Sequence, residues 1–259
     1  MKNGLLLLFC FSIFLSSKAV EIAPNPYQLT FKLAYQQNPT IPKGFLEAVA
    51  FSQSRFHHIT PEEIGSCIGI PQAFGVMGLI EDGKGYFRSN LNLVSQLSGI
   101  TVNEIKSSPE KSILAYAKAY STYLQNNNLT SSPKDQVQVL IALSELPNED
   151  ELVNNYALNS HLYQLFWFLN MEAFQEAYEF QAYKIDLEQL FGTDNYKVLS
   201  SGKVSVSDNH IWNETNNQFR VNNFNTTQST DYGPAVWNPK LVTIVVEMGL
   251  LFLQSQFMI

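Results

Sequence analysis

The chain has few of the residues that bind nucleic acids or build a disulfide framework. Its 16 lysines and arginines are outnumbered by 23 aspartates and glutamates, and the basic residues do not cluster, so no nucleic-acid partner is expected. Of its 2 cysteines, Cys10 lies in an apolar N-terminal run that we expect to be cleaved. Cys67 would then be the only cysteine of the mature chain, so no intramolecular disulfide is expected. No histidine can be paired with Cys67 from the sequence, and a small buried thiol is the commoner role.

Motifs for nucleotides and metals are missing as well. Glycines are concentrated between residues 65 and 85, but their spacing is neither a G-x-G-x-x-G fingerprint nor a phosphate-binding loop. Such glycines permit tight turns or a close approach of the backbone to a ligand. His57 and His58 are adjacent, so their side chains diverge, and no metal site is expected in this chain.

The N-terminus has the pattern of a secretory signal peptide. One lysine precedes an apolar run from Leu5 to Leu15, and the segment closes with the small-x-small ending Ser17-Lys18-Ala19. The run is well short of the ~20 residues that a membrane span needs, so a membrane anchor is the weaker alternative. We expect residues 1–19 to be cleaved and the protein to be exported, to the periplasm or the extracellular space, without a stable membrane span.

Residues 20–185 predict a mainly α-helical domain. In the helix predicted over residues 41–56, Leu46, Val49, Ala50 and Gln53 fall on one face. Glu47 is the only carboxylate of that helix and is expected to be a solvated or capping charge. A capping box at Thr101 to Glu104 marks another helix start. Further helices or helical segments are predicted over residues 24–37, 109–126, 133–146, 149–156, 158–169 and 171–183.

Two of these stretches resemble the motifs of soluble lytic transglycosylases. Residues 48–56 read A-V-A-F-S-Q-S-R-F, where that family has A-I-A-R-Q-E-S-x-F, and residues 75–81 read G-V-M-G-L-I-E, where it has G-A-M-G-L-M-Q. A third family signal, N-I-x-A-G-A-x-Y-L, is similar to residues 112–120, with Tyr116 in place of the glycine. The fourth, Y-N-A-G, is not visible. The resemblance implies a lysozyme-like helical domain.

The resemblance also places the family's catalytic glutamate at Gln53. Transglycosylases need a carboxylic acid that protonates the glycosidic oxygen and then serves as base, and an amide cannot do this. Glu81 occupies the position of the family's motif glutamine. It is the remaining catalytic candidate, on the hypothesis that the acid and the amide have exchanged places across the cleft. The tyrosines of the third motif are core residues unless their hydroxyls line that cleft. The implied substrate-binding residues are Gln53, Ser54, Met77, Gly78, Glu81, Tyr116 and Tyr120.

The composition changes after Asp186. Residues 196–206 show a short alternating pattern, and residues 208–230 are rich in Asn, Thr and Gln with few aliphatic residues, which is typical of an exposed linker. Together they predict an irregular polar linker with minor β-structure over residues 186–239. Its end, residues 229–239, reads S-T-D-Y-G-P-A-V-W-N-P. This resembles the D-Y-P-G-A-x-W-x-P-A segment that leads into the zinc domain of certain N-acetylmuramoyl-L-alanine amidases, which carry a lysozyme-like domain in front. Zinc is expected only in that amidase domain, which is missing from this sequence.

Residues 240–259 form an apolar, β-prone tail that does not fit this architecture. Back-translation with AT-rich codons and a shift of two nucleotides gives N-Y-S-S-R followed by V-T-I-H, which resembles the start of the amidase domain. We therefore expect that a frameshift ends the chain just before its catalytic domain. A nucleotide sequence in which no frame continues past that histidine would exclude the frameshift.

Two functions are consistent with these patterns. The first is the front part of an exported cell-wall amidase, here binding the glycan strands of peptidoglycan without cleaving them. The alternative is a stand-alone peptidoglycan-binding module, or a weak lytic transglycosylase or muramidase that uses Glu81. On the sequence alone, Gln53→Glu should create or raise glycan cleavage if the cleft is intact.

Overall fold

The computed structural model describes residue 22 and residues 24–63, 71–82, 88–130, 132–148, 150–207, 209–221 and 243–246, the last of these only in its backbone pairing. The predictions for the signal peptide, for Cys67, for residues 229–239 and for the rest of the tail lie outside these residues. So do the glycines at positions 65, 69, 83 and 85.

The described chain is mainly helical, as the sequence predicts. The helices are α1 (Gln28–Gln37), α2 (Phe45–Ser54), α3 (Asn90–Ser98), α4 (Val102–Ser107), α5 (Pro109–Asn126), α6 (Pro133–Ser144), α7 (Leu152–Asn170), α8 (Glu172–Ala177), α9 (Leu187–Phe191) and α10 (Thr193–Leu199). The strands are β1 (Ala73–Phe74), β2 (Leu79–Ile80), β3 (Lys203–Val206), β4 (Ile211–Asn213) and β5 (Thr243–Val246). Within the described residues, none of the helices combines the length and the apolar character needed to cross a bilayer.

Helix α5 is the central helix of the domain, and it packs against α1, α2, α3, α4 and α6. It begins where the sequence predicts, because Ser108 Oγ accepts a hydrogen bond from the Lys111 backbone N–H at 3.2 Å and Pro109 occupies the first turn. The helix before it begins at the predicted capping box of Thr101 and Glu104. Local capping therefore sets both helix starts.

Helix α2 packs on α7 through aromatic rings. The ring of Phe51 lies 5.1 Å from that of Phe168 and 4.8 Å from that of Phe174, between ring centroids. The rings of Phe168 and Phe174 are stacked, with centroids 4.5 Å apart. Aromatic pairs at these separations add stabilisation beyond the area that they bury. The C-terminal half of α2, which carries Gln53, is thereby fixed against α7.

The strands β1 and β2 form a short antiparallel hairpin whose turn lies between α2 and α5. Gly75 and Gly78 both have positive φ, +71° and +57°, which a tight turn requires. A Cβ built on Gly75 would overlap the Ser112 hydroxyl of α5, and one built on Gly78 would lie 2.5 Å from Gln53 Cβ. The two glycines thus let the turn approach both helices closely.

The sequence interpretation of residues 149–183 is wrong in two places. The two segments predicted over 149–156 and 158–169 are one continuous helix, α7. Its polar residues Asn155 and Asn159 are buried rather than marking a break, because Asn159 Nδ2 donates to the carbonyl oxygen of Asn155 at 2.7 Å. The helix predicted over 171–183 is limited to α8, since the chain turns at Glu179 with φ +57°.

Residues 186–221 are not the exposed linker that their composition predicts. They form α9, α10 and the antiparallel pair β3–β4, and β5 pairs in parallel with β3. Two aromatic residues attach this part to α7, because Phe191 packs against Tyr163 with ring centroids 5.8 Å apart and Phe219 against Tyr156 at 5.1 Å. Besides these aromatic residues, five buried aliphatic residues hold this polar stretch in place: Leu187, Val198, Leu199, Val204 and Ile211. The predicted alternating pattern does correspond to a strand at β3.

Gly78→Ala should destabilise the protein more than Gly99→Ala does. Both glycines have positive φ, +57° and +74°, so alanine costs roughly 1–2 kcal/mol at either position. A Cβ meets nothing within 4 Å at Gly99, whereas at Gly78 it would collide with Gln53, which adds an overpacking cost of about 1–3 kcal/mol. Thermal unfolding of both variants beside the wild type measures the difference. Equal losses of Tm would show that the turn does not press on α2.

Candidate functional site

The last turn of α2 and the glycine turn lie together. Ser54 Oγ lies 2.5 Å from the Val76 carbonyl oxygen and 3.0 Å from that of Ala50, so its hydroxyl joins the helix to the turn. On the other side of the turn, the Met77 backbone N–H donates to Ser112 Oγ at 3.2 Å. These contacts fix the turn on both sides, directly next to Gln53.

The end of α2 is abrupt and strained. Arg55 and Phe56, which come directly after the helix, have φ values of +55° and +62°, a region that residues other than glycine rarely adopt. Phe56 is held there by packing, because it is buried and contacts the rings of Phe31 and Tyr178. The reversal stops the helix immediately after Gln53 and Ser54 and places both residues at its C-terminal end.

Gln53 is half-buried and its amide is oriented by two neighbours from other parts of the chain. Arg88 Nη2 donates to Gln53 Oε1 at 3.3 Å, and Gln53 Nε2 lies 3.1 Å from His161 Nδ1. Because a guanidinium group can only donate, the oxygen of the amide must face Arg88 and its NH2 must face His161. His161 Nδ1 is then the acceptor. We call Gln53, Arg88, His161 and Tyr116 the Gln53 cluster.

Two members of the cluster, His161 and Tyr116, keep to their neutral forms. His161 is buried, and this burial, reinforced by the positive charge of Arg88, lowers the pKa of its imidazole to about 3. Tyr116 is buried as well, and burial raises the pKa of its hydroxyl, against the opposing charge of Arg88. At neutral pH the cluster therefore holds one charged group, the guanidinium of Arg88.

Arg88 joins the cluster to the end of α6. Its Nη1 donates to the Ser144 carbonyl oxygen at 3.1 Å, and burial lowers its pKa to about 10. Sequence reasoning missed both Arg88 and His161, which lie 35 and 108 positions from Gln53. Neither residue belongs to one of the transglycosylase motifs, so only the folded chain brings them to Gln53.

The other predicted site residues have different surroundings. Met77 is buried beside the turn, and Gly78 packs on Gln53. Tyr120 is fully buried, and its hydroxyl donates to Gln136 Oε1 at 2.7 Å. It is therefore a core residue of the apolar face of α5 and not a residue that lines a cleft. Gly78 thus lies against Gln53, and Ser54 joins α2 to the turn. Tyr116 lies near the charge of Arg88, whereas Tyr120 contacts α6.

Glu81, the proposed catalytic acid, is paired with a lysine. Its Oε2 lies 2.5 Å from Lys106 Nζ, which also lies 4.1 Å from the centre of the Phe74 ring. The ion pair joins Glu81 to α4, and none of the contacts of Glu81 among the described residues is with a member of the Gln53 cluster.

Glu47 is buried, and the expectation of a solvated charge is wrong. The Tyr35 hydroxyl of α1 donates to Glu47 Oε2 and accepts the backbone N–H groups of Gly44 at 2.9 Å and Leu46 at 3.1 Å. Burial raises the pKa of the Glu47 carboxyl to about 7, against the hydrogen bonds from Tyr35 and from backbone N–H groups. Glu47 thus acts at the start of α2, about 9 Å along the helix axis from Gln53.

The described residues contain no group of three His, Cys, Asp or Glu side chains that could hold a metal ion. His57 pairs with Glu63 at 3.0 Å, but no third ligand accompanies them in this part of the chain. The zinc chemistry implied for an amidase domain therefore has no ligand set among these residues.

Comparison with protein-family models, with curated proteins and with solved structures finds no match for this chain. A functional assignment must therefore depend on the motifs and on the geometry around Gln53.

The stability of the protein should fall as pH rises through the range in which Glu47 ionises. The folded state keeps the Glu47 proton up to a pKa of about 7, whereas the ordinary pKa of a glutamate is 4.5. Between these values the unfolded chain releases a proton that the folded chain retains, so wild type should lose up to roughly 3 kcal/mol of unfolding free energy.

Glu47→Gln should remove this loss, because the amide still accepts the Tyr35 hydroxyl without ionising. Denaturant unfolding of wild type and variant at pH 4, 6 and 8 measures it, with the exposed Glu214→Gln as the matched control. If the stability of wild type and of Glu47→Gln changed with pH in the same way, the raised pKa of Glu47 would be contradicted.

Proposed function

We propose that this protein is an exported peptidoglycan-directed module that binds glycan strands without cleaving them. The observation that supports the proposal most is the contact of the glycine turn with the last turn of α2, at the residues of the two transglycosylase-like motifs. A half-buried amide at this position can hydrogen-bond a sugar hydroxyl or an N-acetyl group. It has no proton acidic enough to protonate a glycosidic oxygen.

The surroundings of Gln53 also favour binding over cleavage. The amide accepts from Arg88 and donates to His161, so both of its faces are matched to their neighbours. A glutamate here would lie against a guanidinium, which stabilises the ionised carboxylate and so opposes the protonated form that the reaction needs. The cluster is thus suited to an amide and unsuited to a general acid.

We place the module in front of an N-acetylmuramoyl-L-alanine amidase domain, on the resemblance of residues 229–239 to the segment that leads into such domains. In that setting the helical domain would hold the enzyme on the glycan, while the zinc domain would hydrolyse the amide between N-acetylmuramic acid and L-alanine. Binding by the module would keep the zinc domain close to the peptidoglycan on which it acts.

A muramidase that uses Glu81 is the alternative, and the ion pair with Lys106 weighs against it.

The protein should sediment with purified peptidoglycan and release no new sugar ends in a reducing-end assay. Glu81→Gln should leave both results unchanged, as should Glu214→Gln. Release of sugar ends that Glu81→Gln abolishes would instead establish the muramidase. Failure to sediment with peptidoglycan would overturn the proposed function.

Gln53→Glu should not create cleavage, in contrast to the expectation from the sequence alone. The new carboxylate would pair with Arg88 and stay ionised at neutral pH, so it could not act as the acid. Release of soluble fragments from peptidoglycan by Gln53→Glu between pH 4 and pH 8 measures this, because a transglycosylase closes the new sugar end into an anhydro ring and leaves no reducing end. Fragments released by that variant at neutral pH would show that Arg88 does not control the charge at position 53.

A further inference from the structure

Arg88 is a mostly buried cation whose charge is not matched by a contacting anion. Among the described residues, no aspartate or glutamate oxygen lies within 4.0 Å of its guanidinium. Glu145 is near enough to act on its charge, but Glu145 Oε2 accepts the Ser89 backbone N–H at 2.7 Å. A buried charge is costly unless it is paired and hydrogen-bonded, so this arginine is well placed to receive an external anion.

The hydrogen bonds that Arg88 does form are with neutral acceptors, and the one to Gln53 is longer than usual. They measure 3.1 Å to the Ser144 carbonyl oxygen and 3.3 Å to Gln53 Oε1. Hydrogen bonds from a guanidinium to a carboxylate are typically about 2.7–2.9 Å and roughly twice as strong as neutral ones. The planar guanidinium also matches the two oxygens of a carboxylate. A carboxylate would therefore replace Gln53 Oε1 as a better acceptor.

The position of Arg88 limits which carboxylates can reach it. Its partner Gln53 is half-buried at the end of α2, so a ligand approaching the cluster meets this amide, while His161 and Tyr116 are buried. A carboxylate on a long flexible peptide would have to bring its backbone into this confined site. One attached by a short link to a sugar ring would reach Arg88 while the glycan itself contacts Gln53.

We propose that Arg88 and Gln53 form a carboxylate subsite for a muramic acid unit whose stem peptide has been removed, an inference that rests on the proposed glycan binding. The group bound is the lactyl carboxylate of that sugar, which is an amide, and neutral, wherever the peptide is still attached. The module thus prefers peptide-free glycan, which is the product of amidase action rather than its substrate.

The test compares three soluble glycan oligosaccharides by calorimetry with the wild-type protein. The first carries free lactyl carboxylates, the second carries stem peptides, and the third is peptide-free with its lactyl carboxyls converted to neutral methyl amides. We expect at least tenfold tighter binding of the first than of the other two. The neutral peptide-free glycan separates the loss of charge from the bulk of the peptide, and it requires no variant.

Variants then assign the preference to the subsite. Arg88→Gln should remove it, Arg88→Lys should keep only part of it because lysine lacks the planar fork, and Gln53→Glu should remove it by placing a carboxylate beside Arg88. The exposed Arg220→Gln is the matched control and should keep the full preference. Circular dichroism checks that each variant is folded.

Each outcome decides between the two proposals. Equal binding of the three glycans by the wild type would overturn the carboxylate subsite and leave the proposed glycan binding in place. A preference retained by folded Arg88→Gln or Gln53→Glu would also overturn the subsite. If none of the three glycans binds, the proposed function itself fails.

Discussion

The missing side chain at Gly78 is the constraint on which the candidate site depends. With no Cβ there, the glycine turn lies against Gln53, and the missing Cβ of Gly75 lets the other side of the turn lie against Ser112 of α5. The hydroxyl of Ser54 joins the same turn to α2. The end of α2, the glycine turn and α5 are therefore held in one geometry by close contact and by the hydrogen bonds of Ser54 and Ser112. The position of Gln53 relative to the turn is a direct result of this packing.

The direction of hydrogen bonding through the Gln53 cluster is set by one donor-only group. Arg88 requires an acceptor, so the amide of Gln53 turns its oxygen toward it and offers an N–H to the neutral imidazole of His161. Only a side chain that both accepts and donates satisfies these two neighbours as they stand. A carboxylate would require the other tautomer of His161, with the proton on Nδ1. The glutamine amide therefore fixes which nitrogen of His161 accepts the hydrogen bond.

Local features of the chain were predictable from the sequence, and contacts across the fold were not. The starts of α4 and α5 are set by Thr101 and by Ser108 with Pro109, which act within a few residues of themselves. The mainly α-helical class can be inferred from such signals. The continuity of α7 was missed because Asn155 and Asn159 satisfy each other inside the domain, an arrangement that composition does not show. Residues 186–221 were misjudged because a few aromatic and scattered aliphatic residues are enough to hold a polar stretch.

The candidate site shows the same division. The closeness of Gln53 to Gly78 was predictable from two motifs whose register is visible in the sequence. The arrival of Arg88 and His161 depends on how α6 and α7 pack, so their roles could be assigned only from the folded chain. Glu47 was misjudged for a related reason, because its partner Tyr35 comes from a different helix. Charge and hydrogen-bonding direction at a site are properties of the packed elements together.

The attachment of Phe191 and Phe219 to α7 sets where the helical domain can be separated from the rest of the chain. Tyr156 and Tyr163 are buried beneath these two rings. A chain shortened at residue 185 would expose both tyrosines, and aromatic side chains bury roughly 150–250 Å² each. Such a fragment would carry a new apolar surface prone to association. A helical domain transferred to another protein should therefore include residues up to 221, even though their polar composition suggests a dispensable connection.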